Sequence, residues 1–180
     1  MTRFICMAAL AASAAFAEDK PAAPPAMPPG LKPAAEMKIE KWFVGAWDCK
    51  GLVHESALGP ETKVATRVEF KLELAGAWLQ VKGTATAGPA KGKEIFEGFA
   101  GWDGAQYQRY DFQPVGMTHL SSKGWDGDKL VYEGDGVNQG RKLAVRHTIT
   151  KKSDDAYDGA IELDGKPLLE ESCQRVKAAR

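Results

Sequence analysis

Three histidines, His54, His119 and His147, and three cysteines, Cys6, Cys49 and Cys173, are the residues of this 180-residue chain best suited by type to chemistry. Their spacing does not assemble a metal site. A structural zinc needs four ligands in close grouping, and the histidines lie far apart and far from either later cysteine. Cys49 and Cys173 are read first as a disulfide if the chain is exported, with two reactive or metal-binding thiols as the alternative. Glu170-Glu171 is a carboxylate pair, but adjacent residues of a strand point to opposite faces and cannot share a proton. Asp126-Gly127-Asp128 lacks the spacing of a calcium loop and fits a hairpin turn better. The chain contains no Gly-x-Ser-x-Gly elbow, His-Glu-x-x-His helix or phosphate loop. The expectation is a non-catalytic protein without metal or cofactor.

The remaining candidates are polar groups turned towards a barrel interior. His147 shares parity with Leu143, Val145 and Ile149 and is expected to face inside. His119, alternating with Met117 and Ser121, is a second inward candidate. On the preceding strand the choice is between Tyr107 with Arg109 and Asp111, and Tyr110 with Gln108 and Phe112. Tyr107, Tyr110, His119 and His147 are therefore the candidate ligand contacts. For each, a hydrogen-bonded core residue is the competing reading.

The elements that would position these residues begin after an N-terminal leader. Met1-Thr2-Arg3 supplies a positive head, Phe4 to Phe16 is apolar or small, and Ala15-Phe16-Ala17 fits a cleavage site. Residues 1–17 read as a secretory signal peptide, which implies a periplasmic or secreted protein. Residues 18–38 carry six of the ten prolines among alanines, a composition that favours extended, disordered chain and reads as a tether. Ala34 to Phe43 reads as a short helix, with Met37, Ile39 and Phe43 plugging one end of the β domain.

From Ala46 onwards the pattern is β. Between Lys63 and Leu74, Val64, Thr66, Val68, Phe70, Leu72 and Leu74 take one face, while Lys63, Arg67, Glu69, Lys71 and Glu73 take the other. Period-two alternation of this length describes a strand with one dry and one wet face. Further strands are expected at Trp47–Glu55, Trp78–Thr86, Glu94–Trp102, Gln106–Phe112, Met117–Lys123, Lys129–Glu133, Lys142–Thr150, Ala156–Leu163 and Leu168–Val176. Turn signals separate them at Asp103-Gly104, Asp126-Gly127, Asp135-Gly136, Ser153-Asp154-Asp155 and Asp164-Gly165. About ten antiparallel strands without intervening helices predict an all-β, up-and-down closed barrel over residues 39–177. Basic and acidic residues balance at 24 each, so no basic footprint suggests nucleic acid or a membrane surface, and no apolar run is long enough to span a membrane.

Several short segments in order resemble a known pattern: Val44-Gly45-x-Trp47, Leu74-Ala75-Gly76-Ala77-Trp78-Leu79, Glu97-Gly98-Phe99-Ala100-Gly101-Trp102-Asp103, and Asp164-Gly165 before a last strand. Gly-x-Trp at the head of the first strand resembles the lipocalin and fatty-acid-binding (calycin) superfamily. The set as a whole resembles a bacterial family of exported lipocalin-like domains without an assigned function. In that superfamily a basic residue of the last strand packs over the tryptophan, which assigns Arg175 to Trp47. The numbers of Trp47 and Arg175 have the same sum as those of Cys49 and Cys173. Directly opposed residues in an antiparallel pair keep a constant sum, so both pairs require one register, two residues apart on one face. The disulfide would then link the first and last strands.

The resemblance implies a barrel that binds a small apolar or amphipathic molecule. The alternative is a non-catalytic structural or interaction module of the cell envelope with a filled barrel; its protein partner is not specified by the sequence. A haem barrel of the nitrobindin type takes its axial ligand from a histidine near the C-terminal end. The last strand, Glu170 to Arg175, contains no histidine, so haem would require His147 instead.

Overall fold

The computed structural model describes residues 34–177. The expected signal peptide and most of the expected tether lie outside the described residues. Two short 3-10 turns, Ala35–Lys38 and Glu40–Phe43, open the described chain. Met37, which falls within the expected tether, is buried here together with Glu40 and Phe43. The strands come in order: β1 (Gly45–Val53), β2 (Thr62–Glu73), β3 (Trp78–Ala85), β4 (Glu94–Trp102), β5 (Tyr107–Gln113), β6 (Gly116–Ser122), β7 (Trp125–Asp126), β8 (Lys129–Asn138), β9 (Arg141–Ser153), β10 (Ala156–Leu163) and β11 (Lys166–Arg175).

Neighbours pair antiparallel along the sheet, β1 pairs with β11, and β6 pairs with β8. Ten strands thereby close into a barrel, and the two-residue β7 adds a short flap against the start of β8. Closure satisfies the backbone groups that an open meander would leave at its edges. The expected all-β closed barrel with an N-terminal plug is the fold observed.

Two local expectations are corrected. Asp135-Gly136 is not a turn: β8 runs through it to Asn138, and the reversal is made by Gln139 and Gly140, both at positive φ (49° and 79°). Gly134 and Gly136 serve strand approach instead, since a Cβ on Gly134 would collide with the His119 carbonyl across the β6–β8 seam. Leu74, expected on the dry face, has left the strand. It sits at φ 49° in the β2–β3 turn and is 70% exposed.

The plug end is packed with aromatic rings. Trp47 lies 4.9 Å from Tyr157 and 5.2 Å from Trp42, and Phe43 lies 5.3 Å from Phe70 (ring centroids). The Trp47 indole N–H, which burial would otherwise orphan, donates to the Phe43 carbonyl at 2.7 Å. Across β1 and β11 the register pairs Trp47 with Arg175 and Cys49 with Cys173, and the two cysteines form a disulfide. The Arg175 guanidinium carbon stands 4.1 Å from the centre of the Trp47 ring. Its nitrogens donate to the carbonyls of Val44 and Trp42, acceptors that the ending 3-10 turn leaves free. One arginine therefore fastens the closing seam and the plug together.

The outer wall is charged, with pairs such as Arg67–Asp48 (2.6 Å) and Lys82–Glu97 (3.2 Å). A transmembrane barrel presents an apolar band there. No helix among the described residues is long and apolar enough to cross a membrane.

Candidate functional site

Pleating sends alternate residues of each strand inwards, and the plug fills only part of the interior. Towards the plug, about 20 Å³ remains between Glu40, Tyr132 and Arg109. On the other side of Arg109 a cavity of about 280 Å³ extends to the open end. Its walls include Val68, Phe70, Val81, Leu120, Val145 and Ile149, and polar side chains, Arg109, Asp111, His147 and Glu171 among them, break the apolar surface. A shallow groove of about 400 Å³ on the outside of β9–β11 and β1 is open to water and lined by polar groups such as Lys50, Asp158 and Ser172. The interior cavity is the less open of these two and brings the buried polar groups together.

Arg109 organises that group. Its Nε lies 3.0 and 2.9 Å from the two carboxylate oxygens of Asp111, which also accepts from the Thr118 hydroxyl at 3.4 Å. Gly98, opposite Asp111, leaves the space this carboxylate occupies, because a Cβ there would strike it. Arginine has no acceptor atom, so its 3.1 Å contact with His147 Nδ1 requires that nitrogen to accept. The proton of the neutral imidazole then resides on Nε2. Burial, reinforced by the adjacent Arg109 charge, lowers the His147 pKa to about 3. His147 is thus a neutral Nε2–H donor at any physiological pH, and Nε2 is buried without a hydrogen-bond partner among the described residues.

Two carboxyl groups complete the interior. Glu40, carried in by the plug, accepts from the Tyr132 hydroxyl at 2.8 Å. Burial raises its pKa, and the Tyr132 hydrogen bond and Arg109 oppose that rise. Glu171 on β11 faces inwards between Gly51, where a Cβ would strike the β11 backbone, and Gly159, where a Cβ would press on the Glu171 side chain at 3.0 Å. Its pKa is also raised by burial, again opposed by Arg109. Its carboxyl lies within 4.8 Å of both sulfurs of the disulfide. Because those sulfurs are bonded to each other, the trio offers no thiolate to a metal.

The four expected ligand contacts separate. His147 lines the cavity. Tyr107 faces inwards but on the plug side, where its hydroxyl donates to the Glu36 carbonyl at 2.9 Å. Tyr110 and His119 lie on the outer wall, stacked at 4.4 Å with their planes 4° apart. His119 is exposed there and bonds Gln108 Oε1 at 2.8 Å. The reason is the face taken by β5: Tyr107, Arg109 and Asp111 turn in, so Tyr110 and its cross-strand partner His119 must turn out. Asp111, Glu40 and Glu171 carry more of the site than sequence reasoning assigned them. The signal for Glu171 was available in its parity with Cys173 and Arg175.

Haem does not fit this arrangement. An axial histidine gives its Nε2 lone pair to iron and donates from Nδ1. Here Arg109 forces the opposite tautomer.

No protein-family model matches the chain, and no curated protein sequence matches it. Among solved structures it is similar to the crystal structure of Rv2717c from M. tuberculosis, with TM-score 0.58 and 13% identity over 81% of this chain and 100% of that one. A redesigned beta barrel aligns at TM-score 0.41 and 13% identity, over 76% of this chain and 94% of that chain. The first likeness shows a shared barrel fold. At such identity it shows nothing about ligand or activity.

Proposed function

We propose that the protein is an exported, lipocalin-like carrier that holds one small, largely apolar molecule in the barrel cavity. The observation that carries this reading is the largely apolar interior chamber that ends on Arg109, Asp111, His147 and Glu171. A chamber built for packing alone has no use for four ionisable side chains, each costly to bury. The Arg109–Asp111 pair is internally neutral, so the ligand need not be charged. His147 Nε2–H lacks an acceptor among the described residues, and a carbonyl, ester or hydroxyl oxygen on an apolar body supplies one. At about 280 Å³ the chamber lies near the lower limit of small-molecule pockets, which begin at roughly 300 Å³.

Equilibrium dialysis against fatty acids, retinoids and haem tests the proposal. Uptake of a fatty acid or retinoid, weakened in His147→Leu, supports it. Absence of uptake across the panel favours the filled structural module. Haem uptake through an iron–histidine bond would contradict the tautomer assigned to His147. The disulfide and the leader-like residues 1–17 support export, and a mature N-terminus determined after Ala17 in the secreting cell tests it.

A further inference from the structure

At the open end, cross-strand neighbours on the outer wall are apolar over three strands. Phe112 on β5 is opposite Met117 on β6, and Met117 is opposite Val137 on β8. Val115 tops the turn between β5 and β6. These four side chains are 47%, 43%, 40% and 49% exposed, in the order Phe112, Met117, Val137 and Val115. A contiguous exposed apolar group on a wall that is otherwise charged marks an interaction surface. Met117 and Val137 also line the cavity, as does exposed Leu58 on the β1–β2 loop, so the rim and the chamber share an apolar surface.

Basic and acidic residues balance over the whole chain, but at this end the basic ones are in excess. Lys63, Lys91, Lys93, Arg141, Lys142 and Lys166 lie on its loops and strand ends, and all are exposed. None of them has an ion-pair partner among the described residues, and the same holds for Lys38, Lys41, Lys50, Lys123 and Lys129 elsewhere on the surface. Glu55, Glu61, Glu94, Glu162 and Asp164 are the acidic residues of this end. Glu94 is directed at Lys82 (3.9 Å), and Asp164 accepts from the Ala144 amide (2.9 Å).

We propose that the open end docks on an anionic lipid bilayer. Phe112, Val115, Met117 and Leu58 would enter the headgroup layer, with unpaired lysines and arginines around them on the phosphates. The chamber mouth then faces the lipid, and an apolar molecule can pass between bilayer and barrel without crossing water. Basic groups on several loops, rather than on one side of the patch, suit a planar charged surface better than a single protein epitope. Docking in this form does not depend on what the chamber holds.

Sedimentation of the exported protein, from residue 18 onwards, with vesicles tests the proposal, comparing phosphatidylcholine alone with equal parts of phosphatidylcholine and phosphatidylglycerol. The expected result is binding to the anionic vesicles that weakens as salt is raised. Replacing Arg141→Gln and Lys142→Gln together should lower the partition coefficient by about fivefold for each charge, roughly 25-fold in total. Phe112→Ser with Met117→Ser should also weaken binding, and both pairs are exposed enough to leave the circular dichroism melt unchanged. Absence of binding to anionic vesicles refutes the proposal, as does binding indifferent to both double variants. Loss of a concentration-dependent dimer in the apolar double variant, without vesicle binding, would reassign the patch to a protein partner. Vesicle binding without ligand uptake leaves docking standing and removes only the carrier reading.

Discussion

Replacing His147 by leucine should change how stability responds to acid, and the size of that change comes from the site. The imidazole titrates near 6.5 when exposed and at about 3 in the folded barrel, where burial and the Arg109 charge oppose protonation. A group whose folded pKa is depressed stabilises the fold above its unfolded pKa, and that contribution is lost as pH falls. Between pH 6.5 and pH 3 the unfolded chain binds a proton that the folded one refuses, at about 1.4 kcal/mol per pH unit. By pH 4.5 the cost reaches about 2.7 kcal/mol, with a ceiling of about 5 kcal/mol. Glu40 and Glu171 titrate with the opposite sign, but they are present in both proteins and cancel in the difference. The assay is urea unfolding of wild type and His147→Leu at several pH values from 7.5 to about 4, with the disulfide kept oxidised. Wild type should lose stability relative to the variant as pH falls below 6.5. Parallel pH profiles would refute the reasoning, because they would mean that the imidazole is solvated or already charged.

Three further outcomes are expected from the geometry. Neither Cys49 nor Cys173 should react with an alkylating agent in the unreduced native protein, and the double replacement by alanine should lower urea stability by at most about 4–5 kcal/mol, the loop-entropy value for a closure of this length. Arg175→Gln should cost about 2–3 kcal/mol through loss of the Trp47 stacking and the Trp42 and Val44 carbonyl bonds, and Arg175→Lys should recover only part of it in thermal melts, because an ammonium cannot reproduce the guanidinium fork. Glu40 has a raised pKa, so its contribution is complete below about pH 4.5 and declines as pH rises through the folded value. Glu40→Gln keeps an acceptor for Tyr132 and should therefore gain stability relative to wild type as pH is raised above about 4.5, measured by denaturant titration.

The strands that announce themselves in sequence have one apolar and one charged face. Lys63 to Glu73 is the clearest, and it folds as expected apart from Leu74, which belongs to a turn. The closing register was also legible, because Trp47–Arg175 and Cys49–Cys173 impose the same pairing. β5 was ambiguous for a physical reason: Tyr107 on one face and Tyr110 and Phe112 on the other give it aromatic rings on both sides. Hydrophobicity alone could not orient it, and the placement of His119 on β6 inherited that ambiguity. The interior charges were hidden for a related reason. Arg109 and Asp111 neutralise each other two residues apart on one strand, and the space for Asp111 and Glu171 comes from Gly98, Gly51 and Gly159 on the strands beside them, which single-strand periodicity does not reveal. Asp135-Gly136 misled because glycine serves close strand approach as well as turns.

Native mass spectrometry of the protein as purified tests the central claim most directly, since it weighs the barrel together with whatever it holds. The carrier account predicts a non-protein adduct of small-molecule mass that is lost on denaturation and reduced in His147→Leu. A bare polypeptide mass, unchanged after incubation with fatty acids and retinoids, would contradict it.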